Sequence, residues 1–192
     1  MVARFGRLGL RLVRRFAVER RGVSAVEFAL ILPLMLIIYA GCGEVTTALI
    51  VDRKVSRAAS TISDLVAQQT SVSSAMMNSI FDATTAILEP YDASEAKVVL
   101  VVVDITASGQ KVAWSQARHD TAAAVNVAPP ADLAVPSTIA TVGDEVVVGQ
   151  VTYAFTSPFA NVMKSITGNS VYNLRHVFYL KPRQGNTIAF TG

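Results

Sequence analysis

A chain of 192 residues that is 52% hydrophobic and 16% charged is too apolar to be disordered, and beside an apolar segment it leaves room for one modest globular domain. Its formal charge of +3 is unevenly spread: the 21 residues before Gly22 hold seven arginines and one glutamate, +6, and the rest holds 10 basic and 13 acidic residues, −3. The globular part is therefore mildly acidic and has no basic stripe with interleaved aromatics, which excludes the nucleic-acid-binding class.

In residues 1–21, Phe5, Leu8, Leu12, Val13 and Phe16 alternate with arginines at helical spacing. This reads either as a basic amphipathic segment lying on an anionic membrane face or as a plain cytoplasmic leader. Both give one topology, because arginine-rich flanks stay in the cytoplasm. Residues 23–43 are 21 mostly apolar positions, enough to cross a hydrocarbon core of ~30 Å as a helix. The uninterrupted run begins only at Phe28, so Glu27 is expected near the cytoplasmic headgroups rather than at the midplane. Pro33 removes a backbone donor and should kink this helix. A secretory signal peptide is the competing reading, against which the run is long and no small-residue cleavage site follows. Cys42, the single cysteine, cannot form an intrachain disulfide and is expected as a small buried hydrophobe. A lipoprotein acceptor after Ala40-Gly41 is the sharper alternative, but Tyr39 stands where an aliphatic residue is wanted.

From Glu44 the pattern changes without a helix stop. Ala48, Val51, Val55, Ala58, Ile62 and Leu65 recur at spacings of three and four, and Asp52, Arg53, Lys54, Arg57 and Asp64 fall mostly elsewhere on the wheel. One helix over Ser24–Gln69 would be about 70 Å long, its second half packing on its own domain's sheet. Thr70–Ser74 reads as a polar break. Ser74–Leu88 reads as a second amphipathic helix with Met77, Ile80, Phe81, Thr84, Ile87 and Leu88 inward, stopping before Pro90. Its methionines are packing residues rather than metal ligands.

The remainder is β-rich. Ala96–Thr106 is a valine-rich strand whose continuity implies burial on both faces. A turn at Ala107–Gln110 leads to a second strand, Lys111–Gln116. Residues 117–143 are loop-like, broken by Pro129, Pro130 and Pro136. Glu145–Phe155 and Val171–Leu180 are the third and fourth strands, with a helical turn expected in Ser157–Thr167. The expected fold class is α+β: a long N-terminal helix and a second helix on one face of an antiparallel meander.

No nucleotide loop, dinucleotide fingerprint, zinc-protease or nucleophile-elbow motif is present, so an enzyme is not expected and no cofactor is implied. His119 and His176 are far apart and read as surface or satisfied half-buried side chains. Asp104, Thr106 and Ser108 form a D-x-[ST]-x-S arrangement that resembles a metal-ion-dependent adhesion site, where hard oxygen ligands hold Mg²⁺. The competing reading is a hairpin turn through Ser108-Gly109, favoured because strands and proline-rich loops follow instead of alternating helices.

Gly22-Val23-Ser24-Ala25-Val26-Glu27-Phe28 follows the basic leader and heads the apolar helix. It resembles the type IV prepilin processing motif. The longer string GVSAVEFALILPL resembles the TadE/TadG-like family of the Tad (tight adherence, Flp pilus) system. The helix around Arg53, Arg57, Ala58 and Ala59 and the strand EVVVGQVTYAFTSP are more loosely similar to it. The resemblance implies a pilin-like or pseudopilin component that a prepilin peptidase cuts between Gly22 and Val23. It also implies partners among pilin-like subunits and Tad assembly proteins, with membrane lipid around the helix. The chain then divides into a leader (1–22), a transmembrane segment (Val23 to Gly43) and a periplasmic α+β domain (44–192), anchored in a bacterial inner membrane. Glu27 has two compatible readings. Its carboxylate can pair with the new Val23 amine of a neighbouring subunit, or Ser24-x-x-Glu27 is a capping box at a helix start. An uncleaved bitopic anchor with a partner- or metal-binding domain is the alternative to processing.

Overall fold

The computed structural model describes residues 20–139, 141–157, 159–160, 164–165 and 168–192. The amphipathic leader expected over 1–21 lies outside these apart from the backbone of Arg20 and Arg21, and the helical turn expected in Ser157–Thr167 lies largely outside them. The chain divides into two compact units, Met1–Val45 and Thr46–Gly192.

Helix α1 runs over Arg20–Ala67, with Pro33 inside it. Around the first unit's part of it the large apolar side chains are in the open, among them Val23 (57% exposed), Phe28 (60%) and Tyr39 (80%). Cys42 is exposed as well, which corrects the expectation of a buried cysteine. The second unit's part obeys the three-and-four spacing: Val51, Val55, Ala58 and Ile62 are buried, as are Ala59, Val66 and Ala67. The helix ends where Gln68 and Gln69 turn back on Asp64 and Val66. The Ala67 carbonyl, one of the four that a helix end leaves without an internal donor, accepts the Arg183 N–H at 2.7 Å.

Strand β1 (Ser71–Ser73) and helix α2 (Ser74–Ala86) follow. Ser73 caps α2, its hydroxyl accepting the Met76 N–H, and Met77, Ile80, Phe81 and Thr84 are the buried side. Beyond the last turn Lys54 Nζ donates to the carbonyls of Ile87 (3.1 Å) and Glu89 (2.7 Å). A cation from α1 thus meets the partly negative end of α2. After a short 3-10 turn at Ala93–Glu95 come β2 (Ala96–Thr106), β3 (Gly109–Arg118), β4 (Glu145–Thr156), β5 (Val171–Leu180) and β6 (Ala189–Thr191).

The four long strands form one antiparallel sheet in the order β3-β2-β4-β5. The α+β class and the antiparallel pairing are as expected. The simple meander is not: β4 returns to the far side of β2 instead of pairing with β3. The physical reason is burial. Strand β2 is apolar on both faces and gains most from two neighbours, and the 119–144 connection is long enough to carry the chain across. A second, two-stranded sheet pairs β1 with β6 in parallel, Val72 opposite Phe190. Both strands are too short and polar to be read from sequence, and Thr70–Ser74 was expected to be a break.

Helices α1 and α2 cover one face of the main sheet, over Val98, Leu100, Val102, Val147 and Val151. Gly149 makes this contact close. A Cβ there would stand 2.1 Å from Ser63 Oγ, 3.0 Å from Ile62 and 3.2 Å from the Ala59 carbonyl. The other face carries Val99, Val101, Val103, Val146 and Val148 and is covered by the 119–144 connection through Leu133 and Val135. Gln110 fixes this cover with a two-way amide pair to the Val135 backbone, at 2.6 and 2.8 Å. Arg175 Nη2 adds bonds to the Asp132 carbonyl, Asp132 Oδ2 and Gln150 Oε1. The proline-broken 128–136 stretch, expected as loop, is in part the cover of a second core.

Candidate processing and membrane segment

Among the described residues one helix is long and apolar enough to cross a membrane. It runs from Gly22, with a mean hydropathy of 2.2 in its most apolar window and none of that window buried. Water-soluble monomers rarely expose contiguous apolar patches larger than a few hundred Å², and a helix exposed along its apolar length could span a membrane.

The motif residues sit on this helix. Gly22 lies inside α1, and a Cβ added there meets nothing within 4 Å. Glycine in a helix interior costs about 1 kcal/mol relative to alanine. Nothing in the packing of the described residues therefore asks for glycine at this position. Gly41 and Gly43 are equally open, and glycine is common in membrane helices; Gly22 differs in standing ahead of the apolar run. Val23, Glu27 and Phe28 are exposed. The capping box is corrected: α1 is already helical from Arg20, so Ser24 is an interior residue and no acid lies in the first turn. Only a chain beginning at Val23 would bring Ser24 and Glu27 into a first turn, where a carboxylate meets free N–H groups.

Glu44, which the sequence marks only as the end of the apolar run, is 3% exposed, and among the described residues neither carboxylate oxygen has a hydrogen-bond partner.

In the folded unit, Ala107 and Ser108 form the β2–β3 hairpin turn, with Thr106 opposite Gly109. Thr106 Oγ1 is 3.0 Å from Ser108 Oγ and donates to the Gly109 carbonyl at 2.6 Å. These hydroxyls close the turn on each other. Among the described residues no group of three or more His, Cys, Asp or Glu side chains is placed to hold a metal. Asp104 faces Glu145 across the β2–β4 ladder. Glu145 is 5% exposed, accepts the Ile188 N–H at 2.7 Å, and is pushed up to about 7, chiefly by burial and further by the Asp104 carboxylate. Sequence alone gave no signal for this pair, because the register that opposes the two acids is a long-range fact. The histidines are satisfied: His176 Nε2 lies 2.7 Å from Asp52 Oδ1 and His119 Nδ1 lies 3.0 Å from the Ala96 carbonyl.

Compared with known families, residues 22–63 match the model of the TadE-like proteins. The match begins at Gly22 and runs along α1 to Ser63, and it agrees with the family that the motif resembles. No match was found among curated proteins or among solved structures.

Proposed function

We propose, taking the TadE-like match as premise, that this chain is a membrane-anchored, pseudopilin-like subunit of a Tad/Flp pilus assembly or secretion system. In this reading a prepilin peptidase removes the arginine-rich leader between Gly22 and Val23. The helix from Val23 onward anchors the chain in the inner membrane, and the Thr46–Gly192 unit stands in the periplasm as a binding module without catalytic chemistry. The observation that carries the reading is the coincidence at one residue. Gly22 begins the family match, follows the +6 leader, heads the exposed apolar helix, and has open space where a side chain would go. A glycine disfavoured by helix propensity and not required by packing fits a requirement imposed by another protein, here the peptidase. Glu27 would then pair with the Val23 amine of a neighbouring pilin-like subunit and set the register of assembly.

Intact-mass measurement after co-expression with an active prepilin peptidase tests this. The expected product begins at Val23, and Gly22→Ala should insert normally yet stay full length. A wild-type chain that remains full length beside a peptidase cleaving its own control substrate favours the uncleaved bitopic anchor.

A further inference from the structure

The outer face of α1 in the Thr46–Gly192 unit changes character along its length. At 100° per residue, positions 46, 49, 50, 53 and 57 fall within about 100° of one another, opposite the buried Val51, Val55, Ala58 and Ile62. Leu49 and Ile50 are 53% and 46% exposed. Arg53 and Arg57, one and two turns further on, are exposed. Among the described residues nothing bonds to either guanidinium. Ser60 and Asp64 follow on the same face, Asp64 paired with Arg183. The order along the axis is apolar, cationic, then polar, which is the order of a leaflet from hydrocarbon through phosphate to water.

Helix length gives the same answer. A charged Glu27 belongs among headgroups rather than in hydrocarbon. Counting from Phe28, a core of ~30 Å takes about 20 residues and ends near residue 48. A span over 23–43 instead puts Glu27 inside the hydrocarbon and leaves Leu49 about 9 Å beyond it. The longer register brings Glu44 into the last turn of the span, on the side of the helix away from Leu49 and Ile50, where it is 3% exposed.

We infer that the Leu49–Arg57 face is a lipid-docking surface: Leu49 and Ile50 lie at the hydrocarbon boundary, and Arg53 and Arg57 hold phosphates of anionic headgroups in the leaflet nearest the folded unit. Guanidinium forks suit phosphate oxygens, and their stems can lie along acyl chains. A second copy of the chain fits less well. Two such faces would set arginines against arginines, and the first acid on the face, Asp64, is already paired. The inference rests on the anchoring reading above.

Nitroxide accessibility tests it on the full chain carrying Cys42→Ser, in phosphatidylcholine nanodiscs with and without phosphatidylglycerol. Labels go singly on Met35→Cys, Leu49→Cys, Ile50→Cys and Ser60→Cys. Oxygen should relax the labels at 35, 49 and 50 while a water-soluble nickel chelate does not, with the reverse at 60. Nickel access at 49 and 50 with protection at 35 overturns the docking surface and leaves the anchor standing. Nickel access at 35 removes the anchor and the inference with it. Broadening at 49 and 50 that disappears on dilution with unlabelled chain means that a second copy covers this face, and overturns the lipid assignment. Arg53→Glu with Arg57→Glu should raise nickel access at 49 and 50 several-fold in discs containing phosphatidylglycerol and little without it; an equal change in both lipids overturns the headgroup contact.

Discussion

Ile37 and Ile62 are the same residue type in the same helix, and one is 53% exposed while the other is fully buried. The difference lies in what surrounds them in sequence. Around Ile37 apolar residues occupy every side of the helix, which suits a solvent without hydrogen bonds and leaves no side for water. Around Ile62 they occupy one stripe, and alanines, Ser63 and Gly149 let that stripe approach the sheet closely. One rule, removal of apolar surface from water, is met in the second region by side-chain interdigitation and, under the proposed anchoring, by lipid around the first.

Truncation should separate the two regions most sharply. Ile62→Ala should lower the unfolding free energy of the Thr46–Gly192 unit by about 2–5 kcal/mol, through lost burial and the cavity left behind. Ile37→Ala should leave it unchanged, as read by denaturant titration of the full chain in detergent. An equal loss at both sites would mean that the two halves of α1 are not governed differently.

A pH series addresses the buried acid. Glu145 has its folded value raised to about 7 from 4.5. The protonated form is thus favoured by folding, and the stabilisation is present below pH about 4.5 and lost as pH rises through about 7. A loss on the order of 2 kcal/mol is expected between pH 5 and 8. Asp144, held low by its bond to Lys181, and Asp92, held low by the Ser94 backbone, act in the opposite sense and only at more acidic pH. Glu145→Gln keeps an acceptor for the Ile188 N–H and should flatten the curve; a slope that survives it would assign the dependence to another group.

An effect of similar size is expected at the helix–sheet contact. Gly149→Ala should cost about 1–3 kcal/mol by overpacking, and Ser63→Ala in the same chain should restore part of that by removing the nearest atom. No rescue would mean that the Ala59 backbone, not the hydroxyl, sets the limit. The comparison measures how much of the second region's stability rests on close approach, a constraint absent at Gly22.

Local chemistry was legible wherever the signal was periodic and strong. Strands Ala96–Thr106 and Val171–Leu180 coincide with their β-branched and aromatic runs, and the α1 stripe and α2 follow from spacing. The Gly22–Phe28 stretch that resembles a processing motif could be read for the same reason, since it is contiguous. The 119–144 connection was legible only as loop. That Leu133 and Val135 roof a second core depends on where β4 goes, and no local pattern states that.

By itself the sequence determined the apolar helix, the basic stretch before it, the amphipathic continuation of α1 and the four strands, because each rests on residues within a few turns of one another. Only the tertiary structure decided that β2 is flanked by β3 and β4, that β6 returns to β1, and that Trp114 Nε1 donates to the Ile188 carbonyl while Glu145 accepts the Ile188 N–H. Those choices pair groups up to 118 positions apart in the register. They are settled by which arrangement buries both faces of β2, a sum over the whole chain that no single segment carries.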